Sequence, residues 1–174
     1  MSGQINDLSL LEMLAVDEND YVRECVAGNP NTPALLLEKL AADKDLRVCK
    51  EVATNPNTPP SDREKLLEKL GTDEDEGVRQ FVAFNPKTHV SMLEKLATDK
   101  DEDVRQAVAD NPNAPALALE KLATDQESVV RESVAENQNA PKPLLEQLAA
   151  HEDWEVRRAV AENPNTPALA LEKL

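Results

Sequence analysis

The stretch VRQAVADNPNAPALALEKLATDQESV, Val104 to Val129, decides the fold, because close copies of it recur along the chain. Successive copies are 26 residues apart, except for one spacing of 30 residues between Val48 and Val78. The opening valines are Val22, Val48, Val78, Val104, Val130 and Val156, and the closing leucines are Leu14, Leu40, Leu70, Leu96, Leu122, Leu148 and Leu174. A fixed period of this length predicts stacked supersecondary units rather than a globular enzyme.

Each copy contains two short helical arms. Thr32-Pro33 predicts the start of one arm, with threonine as the N-cap and proline in the first helical position. Leu36, Leu37 and Leu40 then lie on one helical face. An acidic turn leads into the other arm, and one column of polar residues is expected to cap it. The members of that column are Asn19, Asp45, Asp75, Asp101, Glu127 and Asp153, with glutamate as the exception.

The second arm carries three recurring side chains after its valine. The alanine near the end of this arm predicts that neighbouring helices approach closely there. An asparagine ends the arm in every copy, and it usually precedes proline, so the pair predicts a type I turn. We expect the stacked asparagines to form a ladder: Asn29, Asn55, Asn85, Asn111, Asn137 and Asn163. The arginines are expected to form an inter-repeat ion-pair ladder or, alternatively, an anion-binding stripe: Arg23, Arg79, Arg105, Arg131 and Arg157. Cys49 interrupts this column, and Arg47 is expected to substitute for it in part.

The stretch TPPSDREKLLEKL, Thr58 to Leu70, contains four extra residues, which is about one helical turn. This insertion predicts either a helix that is one turn longer or a compensating loop. Ser61 and Glu64 have the spacing of a capping box.

The pattern as a whole predicts an all-α solenoid of thirteen short helical segments, with 1–174 as a single repeat domain. An N-terminal half-repeat is expected at 5–16. Six two-helix repeats follow at about 17–42, 43–72, 73–98, 99–124, 125–150 and 151–174.

The repeat VRxxVAxNPNTPxxLLEKLAxD resembles the leucine-rich repeat variant family over nearly the whole chain, from about Ile5 to Leu174. This resemblance implies a right-handed superhelix of alternating α- and 3₁₀-helices without β-sheet. Some members bind an iron–sulfur cluster through an N-terminal cysteine cluster, but this chain begins with a repeat half, so we expect no cofactor. A weaker resemblance to HEAT-like repeats rests on the pattern Asp-x-x-Val-Arg, as at Asp101 to Arg105. It implies two full α-helices per repeat and, by analogy, a lyase-type accessory role.

Composition narrows the possible functions. The net charge of −15 argues against direct binding to nucleic acid or membranes and favours a basic partner. The start of the chain lacks the features of a secretory signal, and Cys25 and Cys49 form no disulfide framework, so we expect a cytoplasmic protein. His89 and His151 lie in turns, and no catalytic constellation or calcium loop is evident. We therefore expect no metal and no enzymatic activity.

Departures from the repeat are the candidate interaction residues. Trp154 and Phe84 stand in columns that tolerate charge and should face solvent, and tryptophan is enriched at binding hot spots. Leu171 and Leu174 end the chain without a polar cap, which predicts partial exposure, self-association, or a fragment of a longer solenoid. The sequence thus favours a non-catalytic protein-interaction scaffold with an acidic surface. The alternative is an acidic DNA mimic that regulates a nucleic-acid-binding protein.

Overall fold

The computed structural model describes residues 8–173, which form thirteen α-helices and no strand, as the repeat predicts. In chain order the helices are α1 (Leu8–Leu14), α2 (Asp20–Gly28), α3 (Ala34–Leu40), α4 (Leu46–Thr54), α5 (Pro60–Leu70), α6 (Glu76–Phe84), α7 (Val90–Leu96), α8 (Glu102–Asp110), α9 (Ala116–Leu122), α10 (Ser128–Glu136), α11 (Lys142–Leu148), α12 (Trp154–Glu162) and α13 (Ala168–Leu171). None of these described helices is long and apolar enough to cross a membrane.

The even-numbered helices, which we call the long helices, each have nine residues and begin at the predicted caps. In α8, for example, the carboxylate of Asp101 accepts hydrogen bonds from the backbone N–H groups of Asp103 and Val104. Glu127 is the exception, because its side chain makes no capping bond to α10. Each long helix ends where asparagine adopts an extended backbone, with φ −67° and ψ 125° at Asn111. A following proline favours this conformation in five of the six copies, and Asn137, before Gln138, adopts it as well.

The odd-numbered helices, which we call the short helices, begin differently from the sequence prediction. The residue before α3 is Pro33, which cannot make a side-chain cap, and Thr32 does not act as the N-cap. The Thr32 hydroxyl instead donates to the carbonyl of Val26 at 2.6 Å, at the end of α2. Equivalent bonds are made by Thr58, Thr88 and Thr166. The threonine therefore satisfies a terminal carbonyl of the preceding helix rather than an amide of the next one.

The expectation that alternate helices are 3₁₀ requires correction. Five of the short helices are α-helices of seven residues, and α13 has four residues. Bonds of the 3₁₀ type, from residue i+3 to residue i, occur at their ends, as from Leu36 to Pro33 and from Asp43 to Leu40. Such tight bonds commonly complete the first and last turns of a short α-helix.

The four inserted residues extend a helix, as one of the two predictions proposed. Helix α5 has eleven residues instead of seven. It begins at Pro60, so Ser61 lies inside its first turn, and the predicted capping box with Glu64 is wrong. Proline suits the first helical position because its ring fixes a helical φ and its missing N–H would lack an intrahelical acceptor there.

The chain divides into two compact units, one ending at Leu70 and the other covering Gly71–Leu174. In the first unit α2 packs on α4, with α1, α3 and α5 against them. In the second unit α6, α8, α10 and α12 pack in succession, with α7, α9, α11 and α13 as a second layer. Each unit is a stretch of an all-helical repeat solenoid. The assignment of 1–174 to a single domain stays a prediction.

The core of each unit is aliphatic and comes from the recurring leucines and valines. Leu93, Leu119 and Leu145 of the short helices, and Val108 and Val134 of the long helices, are completely buried. Burying one such side chain contributes about 1.5–3 kcal/mol. The repeat therefore places the same apolar stripe in every copy, and the stripes of neighbouring copies cover one another.

Candidate interaction surface

The turns between long and short helices lie in two rows, one at each end of the long helices, and we call the two rows together the turn edge. The asparagine ladder lies in the row that follows the long helices. The Nδ2 group of Asn111 donates to the carbonyls of Ala83 at 2.6 Å and Asn85 at 3.0 Å, one repeat earlier. Its Oδ1 atom accepts from the backbone N–H of Asn113 at 2.8 Å. The side chains of Asn55, Asn137 and Asn163 make the same bonds.

Asn85, the first ladder asparagine of the second unit, differs from these four. Its Oδ1 atom accepts from the N–H of Lys87 at 2.9 Å, so its turn is normal. Its Nδ2 group is buried and has no hydrogen-bond partner among residues 8–173. Asn85 follows the only 30-residue spacing, so no asparagine stands 26 residues before it.

Arginine and aspartate join neighbouring repeats at the other end of the long helices, in the turns that precede them. Arg105 binds Asp125 with Nε at 2.6 Å and Nη2 at 3.0 Å, while its Nη1 donates to the carbonyls of Asp99 and Lys100. Arg23 binds Asp43, and Arg79 binds Asp99, in the same two-pronged geometry. The hydrogen bond from Arg23 lowers the pKa of Asp43. These pairs are well shielded from solvent, with side-chain exposures of 15 % or less.

The column changes at Cys49, whose buried thiol lies 3.4 Å from the carbonyl of Asp43. Burial raises the pKa of this thiol. Arg47 substitutes in part for the missing arginine, as expected, because it forms an ion pair with Asp20 of the preceding repeat. Two residues along a helix is a rotation of about 200°, so Arg47 is exposed and does not form the shielded two-pronged pair of Arg23 and Arg79. It also pairs with Asp45. Hydrogen bonds from the side chain and backbone of Arg47 lower the pKa of Asp45 to about 2.

The last two arginines of the column have no carboxylate within hydrogen-bonding distance in the described part of the chain. The Nη1 group of Arg131 donates to the carbonyls of Asp125 and Gln126. The Nη1 group of Arg157 likewise donates to the carbonyls of His151 and Glu152. Both arginines therefore bind carbonyls of the acidic turn, and Arg131 reaches the next repeat only through an ion pair of 3.7 Å with Asp153.

The exposed side of the long helices α6, α8, α10 and α12, which we call the long-helix face, has a different character. Its positions share one helical stripe, but its side chains change from copy to copy. Most of the charged side chains there are acidic: Glu76, Glu102, Asp103, Asp110, Glu132, Glu136, Glu155 and Glu162. Arg158 is a cation among them, and it lies 2.5 Å from Glu132.

Phe84 lies at one end of this face and is 62 % exposed. It borders a groove of about 490 Å³. The groove is lined by Gly77, Gln80, Phe81, Phe84, Asp103, Gln106, Ala107 and Asp110. The rings of Phe81 and Phe84 and the carboxylates of Asp103 and Asp110 therefore line the same open groove between α6 and α8.

Gly77 helps to open that groove. Its φ is not positive, and an added Cβ atom would meet only the Oδ1 atom of Asp75, at 3.1 Å. Glycine inside a helix costs roughly 0.5–1 kcal/mol relative to alanine. The backbone does not require glycine here, so its structural effect is to leave space in the groove.

A second groove, of about 420 Å³, lies farther along the face and includes Asp110, Ser133 and Glu136 in its walls. Desolvation raises the pKa of Asp110. Desolvation also raises the pKa of Glu136, and the negative charges of Glu132 and Asp110 add to the effect. These carboxylates are therefore crowded in the unbound protein, and a positive group placed among them would be stabilised.

Trp154 and Leu171 are exposed as expected, but they lie apart from the Phe84 groove. Trp154 is 59 % exposed, and the guanidinium of Arg158 lies 5.6 Å from the centre of its ring. It begins α12, and α8 and α10 separate it from α6. Leu171 is 49 % exposed on α13. Leu174, the other predicted contact, lies outside the described residues.

The histidines and cysteines have local contacts. The Nδ1 atom of His89 accepts from the N–H of Ser91 at the start of α7, and Nδ1 of His151 accepts from the N–H of Asp153. Cys25 is exposed, and Cys49 is buried. Within residues 8–173, no three His, Cys, Asp or Glu side chains are grouped so that they could hold a metal ion.

The fold and its ladders define a class, the all-helical repeat solenoids, and comparison with known proteins shows which family the repeat resembles. The family model described as leucine rich repeat variant matches residues 102–127 and 154–174. A solved structure described as a leucine-rich repeat variant with a novel repetitive protein structural motif matches at 28 % identity and a TM-score of 0.68. These matches confirm the resemblance of the chain to the leucine-rich repeat variant family.

The extent of these matches differs. The chain is covered to 97 % by that solved structure but spans 65 % of its length. A crystal structure of an engineered protein matches at 20 % identity and a TM-score of 0.52, covering 97 % of this chain and 96 % of that one, and shows likeness of fold alone. No curated protein matches the sequence.

Proposed function

We propose that the chain is a non-catalytic scaffold that binds a basic protein partner on the long-helix face. The observation that carries this proposal is the groove beside Phe84, where the exposed ring of Phe84, the half-buried ring of Phe81 and the carboxylates of Asp103 and Asp110 line one depression. Aromatic residues are enriched at binding hot spots, whereas most exposed charges on a surface contribute little to affinity. Repeat solenoids characteristically use such extended surfaces for binding.

Lysine or arginine is the side chain that best fits this groove. The aliphatic stem of either residue can pack on the ring of Phe84 while its charged end reaches Asp103 or Asp110. The space left by Gly77 admits the stem. The raised pKa of Asp110 supports this assignment, because a nearby cation would stabilise the ionised carboxylate.

The rest of the face favours the same partner at longer range. Its carboxylates extend over α8, α10 and α12, and the net charge of the chain is −15. Such a field accelerates association with a basic protein and disfavours acidic ones. Trp154 is a second anchor for a partner long enough to reach from α6 to α12.

A fluorescence-anisotropy titration with a labelled peptide rich in lysine and arginine tests the proposal. The face variant combines Phe84→Ala, Asp103→Asn and Asp110→Asn. The control combines Glu68→Gln and Glu120→Gln, which remove the same number of negative charges from exposed positions on short helices. We expect the face variant to bind roughly tenfold more weakly and the control to change less than about twofold. Equal weakening of both variants would show that binding depends on net charge alone and would overturn the proposal.

A further inference from the structure

The arginine column of the second unit contains one incomplete pair. In Arg79 and Arg105 the Nε and Nη2 groups point as a fork at a carboxylate 20 residues later in the chain. For Arg131 the residue at that position is His151. An arginine fork is shaped to donate two parallel hydrogen bonds to one carboxylate.

The Nε and Nη2 donors of Arg131 have no carboxylate that accepts a hydrogen bond from each of them. Its Nε atom is buried and has no hydrogen-bond partner among residues 8–173. A carboxylate oxygen of Asp153 lies 3.7 Å from Nη2, beyond hydrogen-bonding distance. The Asp153 side chain already caps α12 by accepting from the N–H of Glu155 at 3.0 Å.

His151 stands where the other copies have aspartate. It still accepts a backbone hydrogen bond in the turn, but it has no carboxylate to offer to Arg131. Its Nδ1 atom accepts from the N–H of Asp153 at 3.0 Å, as Asp125 accepts from Glu127. A neutral imidazole that accepts at Nδ1 carries its proton on Nε2, so the ring offers Arg131 a donor rather than an acceptor. Arg131 and His151 together therefore present donors only.

Arg131 and His151 border an open groove of about 440 Å³ at the turn edge. Gln147 of α11 also lines it, and its side-chain amide can donate as well. The acidic members of the lining are Asp125, which is already bound by Arg105, and Glu152, which is exposed. The groove has both the space and the donors for an added anion.

We infer that Arg131 and His151 bind a carboxylate that the chain does not supply itself. The ligand group would take the position on Arg131 that the Asp125 carboxylate takes on Arg105. A small carboxylic acid and an acidic side chain of another protein share this chemistry. The site is separate from the long-helix face, and the inference does not depend on the proposed basic partner.

Nuclear magnetic resonance of the arginine Nε–H groups tests this inference directly, because each repeat reports separately. Acetate is titrated at constant ionic strength, with chloride as the balancing anion. We expect a saturable shift of the Arg131 resonance and none for Arg105, whose fork is already filled. In His151→Asp the internal carboxylate should occupy the fork and abolish the response. His151→Asn can retain the cap without a charge, and its response should persist.

Three results would overturn the inference: equal shifts at Arg131 and Arg105, an equal shift with chloride, or an undiminished response in His151→Asp. A further titration distinguishes the two sources of carboxylate. A short aspartate-containing peptide with blocked ends that binds more tightly than acetate indicates a protein ligand, and equal binding indicates a small acid.

Discussion

The turn edge and the long-helix face of the second unit are built from the same repeat but use it in opposite ways. At the turn edge the same side chains recur in nearly every copy, and most are engaged by hydrogen bonds, as Asn111 and Arg105 are. On the long-helix face no column keeps the same side chain in all copies. Phe84 occupies the column in which Asp110, Glu136 and Glu162 stand later.

This contrast explains how one unit can be both stable and specific. A solenoid is stabilised by interfaces between neighbouring repeats, so the residues that form them must recur wherever the interface recurs. Residues that do not serve the interface are free to differ. Recurrence within the chain therefore indicates structure, and departures from it indicate where binding is to be sought.

The largest expected effect comes from removing a ladder asparagine. Asn111→Ala should lower the free energy of unfolding by about 2–4 kcal/mol, because it removes two buried hydrogen bonds and leaves the carbonyls of Ala83 and Asn85 without their donor. Equilibrium unfolding in urea measures the change. Asn85→Ala is the matched control and should cost about 1 kcal/mol or less, because its Nδ2 group is already unpaired. Equal losses in the two variants would contradict the ladder as a source of stability.

The next effect concerns the ion pairs. Arg105→Ala should destabilise by about 2–3 kcal/mol, since it leaves the shielded carboxylate of Asp125 without its partner. Arg157→Ala, which loses only bonds to backbone carbonyls, should cost about 1 kcal/mol. Thermal unfolding followed by circular dichroism would rank the variants, and the reverse order would show that the inter-repeat carboxylate contributes little.

Protonation of Asp43 at the turn edge should lower the free energy of unfolding, whereas protonation of Asp110 on the long-helix face should raise it. The pKa of Asp43 is lowered by its bond to Arg23, so its stabilisation is present above the unfolded pKa of about 3.9 and is lost as pH falls through the folded pKa. The pKa of Asp110 is raised by desolvation, so its ionisation destabilises the fold as pH rises through these values. Asp110→Asn should therefore raise the urea midpoint slightly at neutral pH, and the difference should vanish below about pH 4. A lower midpoint at neutral pH would contradict the assignment.

A smaller gain is expected from completing the arginine column. His151→Asp should stabilise the second unit by about 1 kcal/mol, because the new carboxylate can accept both prongs of Arg131. His151→Asn serves as the control without the charge and should gain less. Urea unfolding at neutral pH distinguishes them, and no gain in His151→Asp would show that the fork is not positioned for a carboxylate.

Much of the turn edge could be predicted from the sequence because its signals are local and repeated. The caps, the extended asparagine before proline and the longer α5 depend on residues close together in the chain. The prediction of Thr32 as an N-cap is wrong because a threonine before proline suits two roles, and its actual acceptor, the Val26 carbonyl, lies across a turn.

The grooves could not be predicted, because each depends on which side chains of successive helices lie side by side. The sequence marks Phe84 as the aromatic member of its column. Its proximity to Asp103 and Asp110, however, results from the packing of α6 on α8. The open fork of Arg131 did leave a signal in the sequence. His151 stands where the same turn in other copies has aspartate, and the 20-residue spacing to Arg131 connects the two.

One measurement tests most directly whether recurring positions support the fold and varying positions do not. The urea-unfolding free energy of the variant carrying Phe84→Ala, Asp103→Asn and Asp110→Asn is compared with that of Asn111→Ala. We predict that the three face substitutions together change it by less than about 1 kcal/mol, while the single edge substitution lowers it by about 2–4 kcal/mol. A loss in the face variant as large as that in Asn111→Ala would contradict the division between the two regions.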